Sequence, residues 1–259
     1  MWPQLLTIGP FSLNAYGLLV ALGALVGLIA LQKTAPLAGW PKKEATDLGF
    51  WLIVMGLIGA RLFYVICHLA EFQRQPLRVL AYWRGGLMFQ GGVVLAAFFA
   101  YGYVKLKGLN FWGLADSLAP PLALGQSLGR LGCHAAGCCY GQAAPLTFPL
   151  TVTFPPGGAA PAGFPLYPTQ LSESLGLLAL FVFLYGFLKK RPPNGRIFGL
   201  YLIGAGSLRL IMERYRGDYR GSPILGEAPT FWLALGAVAL GLAIALLGPT
   251  LRREKRPAT

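Results

Sequence analysis

Gly125–Gly141 reads GQSLGRLGCHAAGCCYG, which sets an arginine, a histidine and three cysteines at the end of an otherwise apolar segment. An arginine at membrane depth is costly and by default marks a functional site. Whether this segment lies in a bilayer decides the fold. Of 259 residues, 55% are hydrophobic and 12% charged, well outside the profile of a soluble domain. Seven runs are long and apolar enough to cross hydrocarbon as helices, at about 11–31, 48–69, 86–104, 112–131, 170–188, 197–212 and 230–247. The expectation is an all-α integral membrane protein of seven transmembrane helices, a single polytopic domain over residues 1–259. Asp47 is a plausible cap for the second span. Residues 1–10 read as an interfacial lead-in.

Charge patterning orients these spans. With the N-terminus outside, the inner segments carry 13 lysines and arginines, from Lys33 to Arg256, against 6 outside. The positive-inside rule then selects N-out and C-in. The Pro- and Gly-rich loop 141–168 has no Lys or Arg and falls outside as a small head. The net charge of +13 belongs to topology and anionic lipid contact rather than nucleic acid, because no aromatic-interleaved basic arm accompanies it. The first cation is Lys33, after the first apolar run, so no cleavable signal peptide is expected. No internal repeat is visible.

Three arginines, Arg61, Arg130 and Arg209, remain within spans. At a helical rise of about 1.5 Å per residue, Arg61 and Arg209 lie roughly 20 and 18 Å from the inner ends of their spans, and Arg130 lies at an outer end. All three fall in the outer half, which suggests one polar cavity open to the outer leaflet. Guanidinium is a planar fork suited to phosphate, and phospholipid headgroups supply phosphate at this depth. The plainer alternative is pairing with a carboxylate or snorkelling to the interface; Glu213, four residues beyond Arg209, is such a partner. Gly85-Gly86 and Gly91-Gly92, on the outer side, can form an anion nest or simply let helices pack closely. The spacing C-H-x4-C-C of Cys133, His134, Cys138 and Cys139 matches no standard zinc pattern, and no metal is expected. A disulfide involving Cys133, soft packing and a thiol nucleophile remain open.

These motifs, in this order, resemble the bacterial prolipoprotein diacylglyceryl transferases. Ile8-Gly9-Pro10 with Tyr16-Gly17 resembles the family's opening motif. Gly59-Ala60-Arg61 with Tyr64, the paired glycines, and Gly129-Arg130-Leu131-Gly132 resemble the next three. Pro168, Gln170, Leu171 and Glu173, then Gly199 through Gly204 with Arg209, Glu213 and Arg216, resemble the last two. The resemblance implies a seven-span body with a small extracytoplasmic head, in the bacterial cytoplasmic (inner) membrane, with no metal or soluble cofactor. It implies transfer of diacylglyceryl from phosphatidylglycerol to the lipobox cysteine thiol in the signal peptide of a prolipoprotein, releasing glycerol phosphate. The catalytic candidates are Arg130, Arg209, Tyr16, Glu173 and His134. The phosphatidylglycerol-binding candidates are Arg130, Arg61, Gly91, Gly92, Gln90, Gln170, Glu213 and Arg216.

Two departures bear on the acceptor. Gln90 stands where the family has a histidine, and Cys133-His134-Ala135-Ala136-Gly137-Cys138 stands where it has N-F-x-N-G-E. Two other functions therefore stay open. One keeps the phospholipid site with a different lipid or small-molecule acceptor. The other is non-catalytic lipid binding or transport, against which the clustering of polar residues in the outer half argues.

Overall fold

A computed structural model describes residues 4–8, 11–82, 85–145 and 147–247. Gly9 and Pro10 of the opening motif, Trp83 and Arg84 of the Gly-rich turn, and the basic tail from 248 on lie outside the described residues. The chain opens with β1 (Gln4–Ile8) paired antiparallel to β2 (Phe11–Asn14), a short hairpin ahead of the expected helical bundle. Asn14 is still extended and Ala15 is the first helical residue. The helices are α1 (Ala15–Leu37), α2 (Lys42–Cys67), a short α3 (Leu69–Arg74), α4 (Phe89–Lys107), α5 (Phe111–Ala136), α6 (Thr169–Leu188), α7 (Arg196–Glu213) and α8 (Pro229–Leu247). A 3-10 turn at Pro76–Leu80 follows α3.

Two expected boundaries move. Asp47 does not cap α2: the helix starts nearly two turns earlier, after extended Pro41, because Lys42, Lys43 and Glu44 are good helix formers. The fourth apolar run continues as helix to Ala136 and ends at Gly137, which takes the left-handed conformation of a C-terminal cap. Arg130 is therefore more than a turn inside α5, and Cys133 and His134 are helical.

Among the described residues, five helices are long and apolar enough to cross a membrane: α1, α2, α4, α6 and α8. The two long helices outside that set, α5 and α7, carry many of the polar side chains of the bundle. The packing explains why they can. α5 lies between α1, α6 and α7, and α7 lies between α5, α6 and α8. Ser117, Ser127 and Asp116 of α5 are all buried, and neighbours satisfy them. Ser127 Oγ donates to the Ser174 carbonyl at 2.9 Å, and Ser174 Oγ donates back to the Ser127 carbonyl. Outward, α1, α2, α4, α6 and α8 expose Leu25, Phe50, Leu57, Phe98, Val182, Leu233 and many like them. An apolar exterior of this extent requires lipid around it.

Close contact depends on missing side chains. A Cβ on Gly91 of α4 would lie 2.5 Å from the Gly59 carbonyl oxygen of α2, and one on Gly241 of α8 would lie 2.7 Å from that of Gly199 in α7. Such backbone approach is how membrane helices gain dispersion energy where the hydrophobic effect supplies none.

Asp116 reaches across to the N-terminus of α7. Its Oδ2 accepts from Gly195 N at 2.6 Å and its Oδ1 from Phe198 N at 2.8 Å. A carboxylate suits the positive end of the helix dipole. Asp116→Ala leaves buried N–H groups unpaired and should cost about 1–3 kcal/mol. The expected result is earlier thermal unfolding of the detergent-purified chain, with Asp116→Asn in between.

Candidate functional site

Glu173, near the start of α6 and buried, is where two helices meet. Its Oε1 lies 2.7 Å from Arg130 Nη2 of α5 and its Oε2 lies 3.7 Å from Arg209 Nη1 of α7. Arg209 Nη2 lies 3.0 Å from Glu213 Oε2 one turn on. The group extends into the segment after α7: Arg220 pairs with Glu213 Oε1, which also accepts from Thr230 Oγ at 2.9 Å. Arg216 makes a two-pronged pair with Asp218, Nε to Oδ1 at 2.8 Å and Nη2 to Oδ2 at 2.5 Å.

Four guanidiniums (Arg130, Arg209, Arg216, Arg220) thus face three carboxylates (Glu173, Glu213, Asp218). One positive charge is left over in a largely buried cluster. Donors are left over as well. Arg209 Nη1 is buried without a hydrogen bond, and Glu213 Oε2 is close to Arg209 in distance but misaligned for one. The Arg130 side chain is 22% exposed, so the cluster has a face open to the outside of the bundle.

Around it stand the other predicted residues. Gln170 is buried; its Nε2 donates to the Cys138 carbonyl at 2.9 Å, and its Oε1 has no partner. Tyr16, exposed in the first turn of α1, packs on Gly132 of α5 and lies within electrostatic reach of Arg130. His134 sits edge-on to Phe154 of the head at 5.7 Å between centroids, with Nδ1 buried and unpartnered. The head has its own small core of Phe154, Ala160 and Leu166. It is tied to the segment after α7 by Gln142 N to the Tyr215 carbonyl at 2.7 Å and Gly217 N to the Tyr140 carbonyl at 3.0 Å.

Three predicted ligand residues are placed differently. Arg61 does not join the cluster. Its nitrogens donate to the carbonyls of Arg78, Val79, Ala81, Gly85 and Gly86, and its guanidinium lies between the Tyr64, Phe72 and Tyr82 rings. With its fork filled by backbone carbonyls, it holds the turn before α4. Gly91 and Gly92 are buried in the first turn of α4 against Gly59 and Gly56 of α2, where an added Cβ would collide. Their lack of a side chain lets α4 approach α2 closely. Gln90 is exposed beside them.

Sequence reasoning missed Arg220, Asp218 and Thr230, because they lie in or beside the charged loop after α7, whose fold carries no periodic signal. It also missed the meeting of the three thiols. Cys133, Cys138 and Cys139 are free, and their sulfurs all lie within 4.8 Å of one another. Hydrogen bonds from the Cys133 and Cys138 thiols, helped by Arg216 and Arg130, hold the Cys139 thiol below the ordinary cysteine range. Burial opposes the charge on Arg216, but Asp218 and the Cys139 sulfur outweigh it and raise its pKa.

Fold and site together define a multi-pass membrane protein organised round a buried arginine–carboxylate cluster near one end of its bundle. A family model described as prolipoprotein diacylglyceryl transferase matches residues 3–247. A Clostridium tetani protein named phosphatidylglycerol–prolipoprotein diacylglyceryl transferase is 31% identical over 244 residues, covering 94% of this chain and 96% of its own. Proteins of the same name from Aliivibrio salmonicida and Methylibium petroleiphilum are 33% and 31% identical over 242 and 251 residues, covering 91% and 93% of this chain and 81% and 94% of their own. The chain belongs to the prolipoprotein diacylglyceryl transferase family and is a transferase.

Glu173→Gln removes the charge that Arg130 and Arg209 share and should destabilise the chain by about 3–5 kcal/mol, the cost of breaking a buried pair. Thermal unfolding in detergent measures it. Arg61→Met should instead expose the 76–82 segment to limited proteolysis while leaving the Arg130–Glu173 cluster intact.

Proposed function

We propose that this chain transfers the diacylglyceryl group of phosphatidylglycerol to the lipobox cysteine thiol of a prolipoprotein signal peptide and releases glycerol phosphate. One observation carries the reading: Arg130 and Arg209, from two helices, share Glu173 with donors to spare, including a buried Arg209 Nη1 without a hydrogen bond. Preorganised donors in a water-poor site favour an anion that gains charge during reaction. The departing phosphate is such an anion. Sulfur attacks the glycerol carbon, the C–O bond breaks, and its electron pair leaves on the phosphate oxygen. Arg130 and Arg209 take that charge. Glu173 and Glu213 hold the two guanidiniums in place, while the free Oε1 of Gln170 and the Tyr16 hydroxyl orient the glycerol headgroup. His134 and Arg216 act at the edge of the site, next to the thiols and the head.

In this reading all seven long helices span the bacterial cytoplasmic membrane, N-out and C-in. The head formed by 141–168 stands on the outer face, where secreted prolipoproteins arrive. The excess of Lys and Arg on the inner segments supports that orientation, and the exposed apolar side chains contact membrane lipid.

Complementation tests the proposal. Cells depleted of their own transferase should regain growth and lipoprotein processing when they express this chain. Arg130→Ala or Arg209→Ala should lower transfer of labelled diacylglyceryl to a lipobox peptide by about 10²–10³, the usual cost of one charge-stabilising donor. A well-inserted wild-type chain that labels no lipobox peptide would remove the protein thiol as acceptor. A label found instead on another lipid or a small molecule would name the acceptor.

A further inference from the structure

The three thiols beside the arginine cluster are not used by the mechanism above. Cys133 comes from the last turn of α5, and Cys138 and Cys139 follow its Gly137 cap. Their sulfurs lie within 4.8 Å of one another. A disulfide would join two and leave the third. Three thiolates on one tetrahedral zinc, at about 2.3 Å each, stand roughly 3.8 Å apart, so a small inward movement closes this triangle on a cation.

The backbone is set for that convergence. Cys139 has φ +58, a left-handed conformation unusual for a residue with a side chain. Such a conformation persists only where surrounding structure enforces it, and it concentrates at functional sites. The enforcement is visible here. Gln170 Nε2 donates to the Cys138 carbonyl at 2.9 Å, Thr169 Oγ donates to the Cys139 carbonyl at 3.1 Å, and Cys138 N donates to the Cys133 carbonyl at 3.1 Å. Both α6 side chains are buried. Outer contacts of this kind fix first-sphere ligands in well-built metal sites.

We infer that Cys133, Cys138 and Cys139 form a three-sulfur site for a thiophilic d10 cation of the zinc class, with the fourth position open to an incoming thiol. Three protein ligands and one open position are the pattern of catalytic rather than structural zinc. His134, one residue from Cys133, points about 100° round the helix from it and does not belong to the sulfur triangle. Three thiolates and a divalent cation carry one negative charge, which balances the one unpaired positive charge of the neighbouring cluster. The lipid phosphate then draws on the spare N–H donors of Arg130 and Arg209 rather than on net charge.

The role of the site, though not its existence, rests on the transfer reading. The acceptor S–H loses its proton to solvent as the sulfur binds the cation. That sulfur then forms the S–C bond to the glycerol carbon, and glycerol phosphate leaves with the C–O electron pair. The oxidation state of the metal does not change. The cation thereby supplies thiol activation in a chain whose Gln90 cannot act as a base. A free thiol with a pKa of about 8.5 is only about 3% ionised at pH 7, whereas a coordinated one is ionised outright, so the gain is up to roughly 30-fold.

The test uses the full-length chain purified in detergent. Elemental analysis after incubation with zinc should find one zinc per chain, and cobalt loading should give a thiolate-to-cobalt absorption band. Cys139→Ser should lose both, while Cys67→Ser should keep both. Chelation should lower transfer from labelled phosphatidylglycerol to a lipobox peptide by up to about 30-fold, and added zinc should restore it. The chelation arm needs no variant and decides the matter if Cys139→Ser does not insert. No bound metal, a disulfide between any two of the three, or full transfer after complete chelation would overturn the inference and leave the transferase reading standing. A chain that binds zinc through these cysteines yet labels no lipobox peptide would overturn the transferase reading, and the assigned role with it, while the metal site stood.

Discussion

A single carboxylate, Glu173, holds two guanidiniums from different helices in a place where water is scarce. Isolated charge is costly in such surroundings, and a pair is tolerated only when its geometry is good. Arg130 of α5 and Arg209 of α7 can be partly sheltered because α6 brings Glu173 between them. The arrangement of α5, α6 and α7 is in turn what lets those helices carry polar side chains at all. The remaining long helices surround them and present apolar side chains to lipid. Site and fold are thus one electrostatic solution: the cluster needs the bundle for shelter, and the central helices need the cluster to balance their charge.

Much of this was legible in the sequence. Long apolar runs are the strongest periodic signal a membrane chain offers, and each expected span has a helix at nearly its expected place. Boundaries were less legible where polar residues are also helix formers, as at Lys42–Glu44, and where a glycine cap lies beyond the apolar run, as at Gly137. The strand pair before α1 was not legible because its strands are only five and four residues long and the second runs straight into the first apolar run.

Within the site, identity was easier to read than partnership. Arg130, Arg209, Glu173 and Glu213 stand out because charge is rare in such helices. Arg61 stands out for the same reason, yet it satisfies a loop. Composition cannot tell an arginine that waits for a ligand from one that ties down carbonyls, because both are cations within apolar helices. The paired glycines were ambiguous between anion binding and helix contact, and only the position of Gly59 and Gly56 opposite them resolves it. The meeting of the three thiols depends on one left-handed residue, Cys139, and no spacing rule encodes that.

The grip of Asp116 on α7 has a geometric corollary. The clamp sits at Gly195 and Phe198, at the end of the helix opposite Arg209, and a helix advances and turns by fixed steps, about 1.5 Å and 100° per residue. The height and heading of the Arg209 guanidinium are therefore dictated from the opposite end of α7. α7 behaves as a rigid spacer of about 17 Å between Phe198 and Arg209. Adding or removing one residue along that interval would swing Arg209 away from Glu173 without touching either.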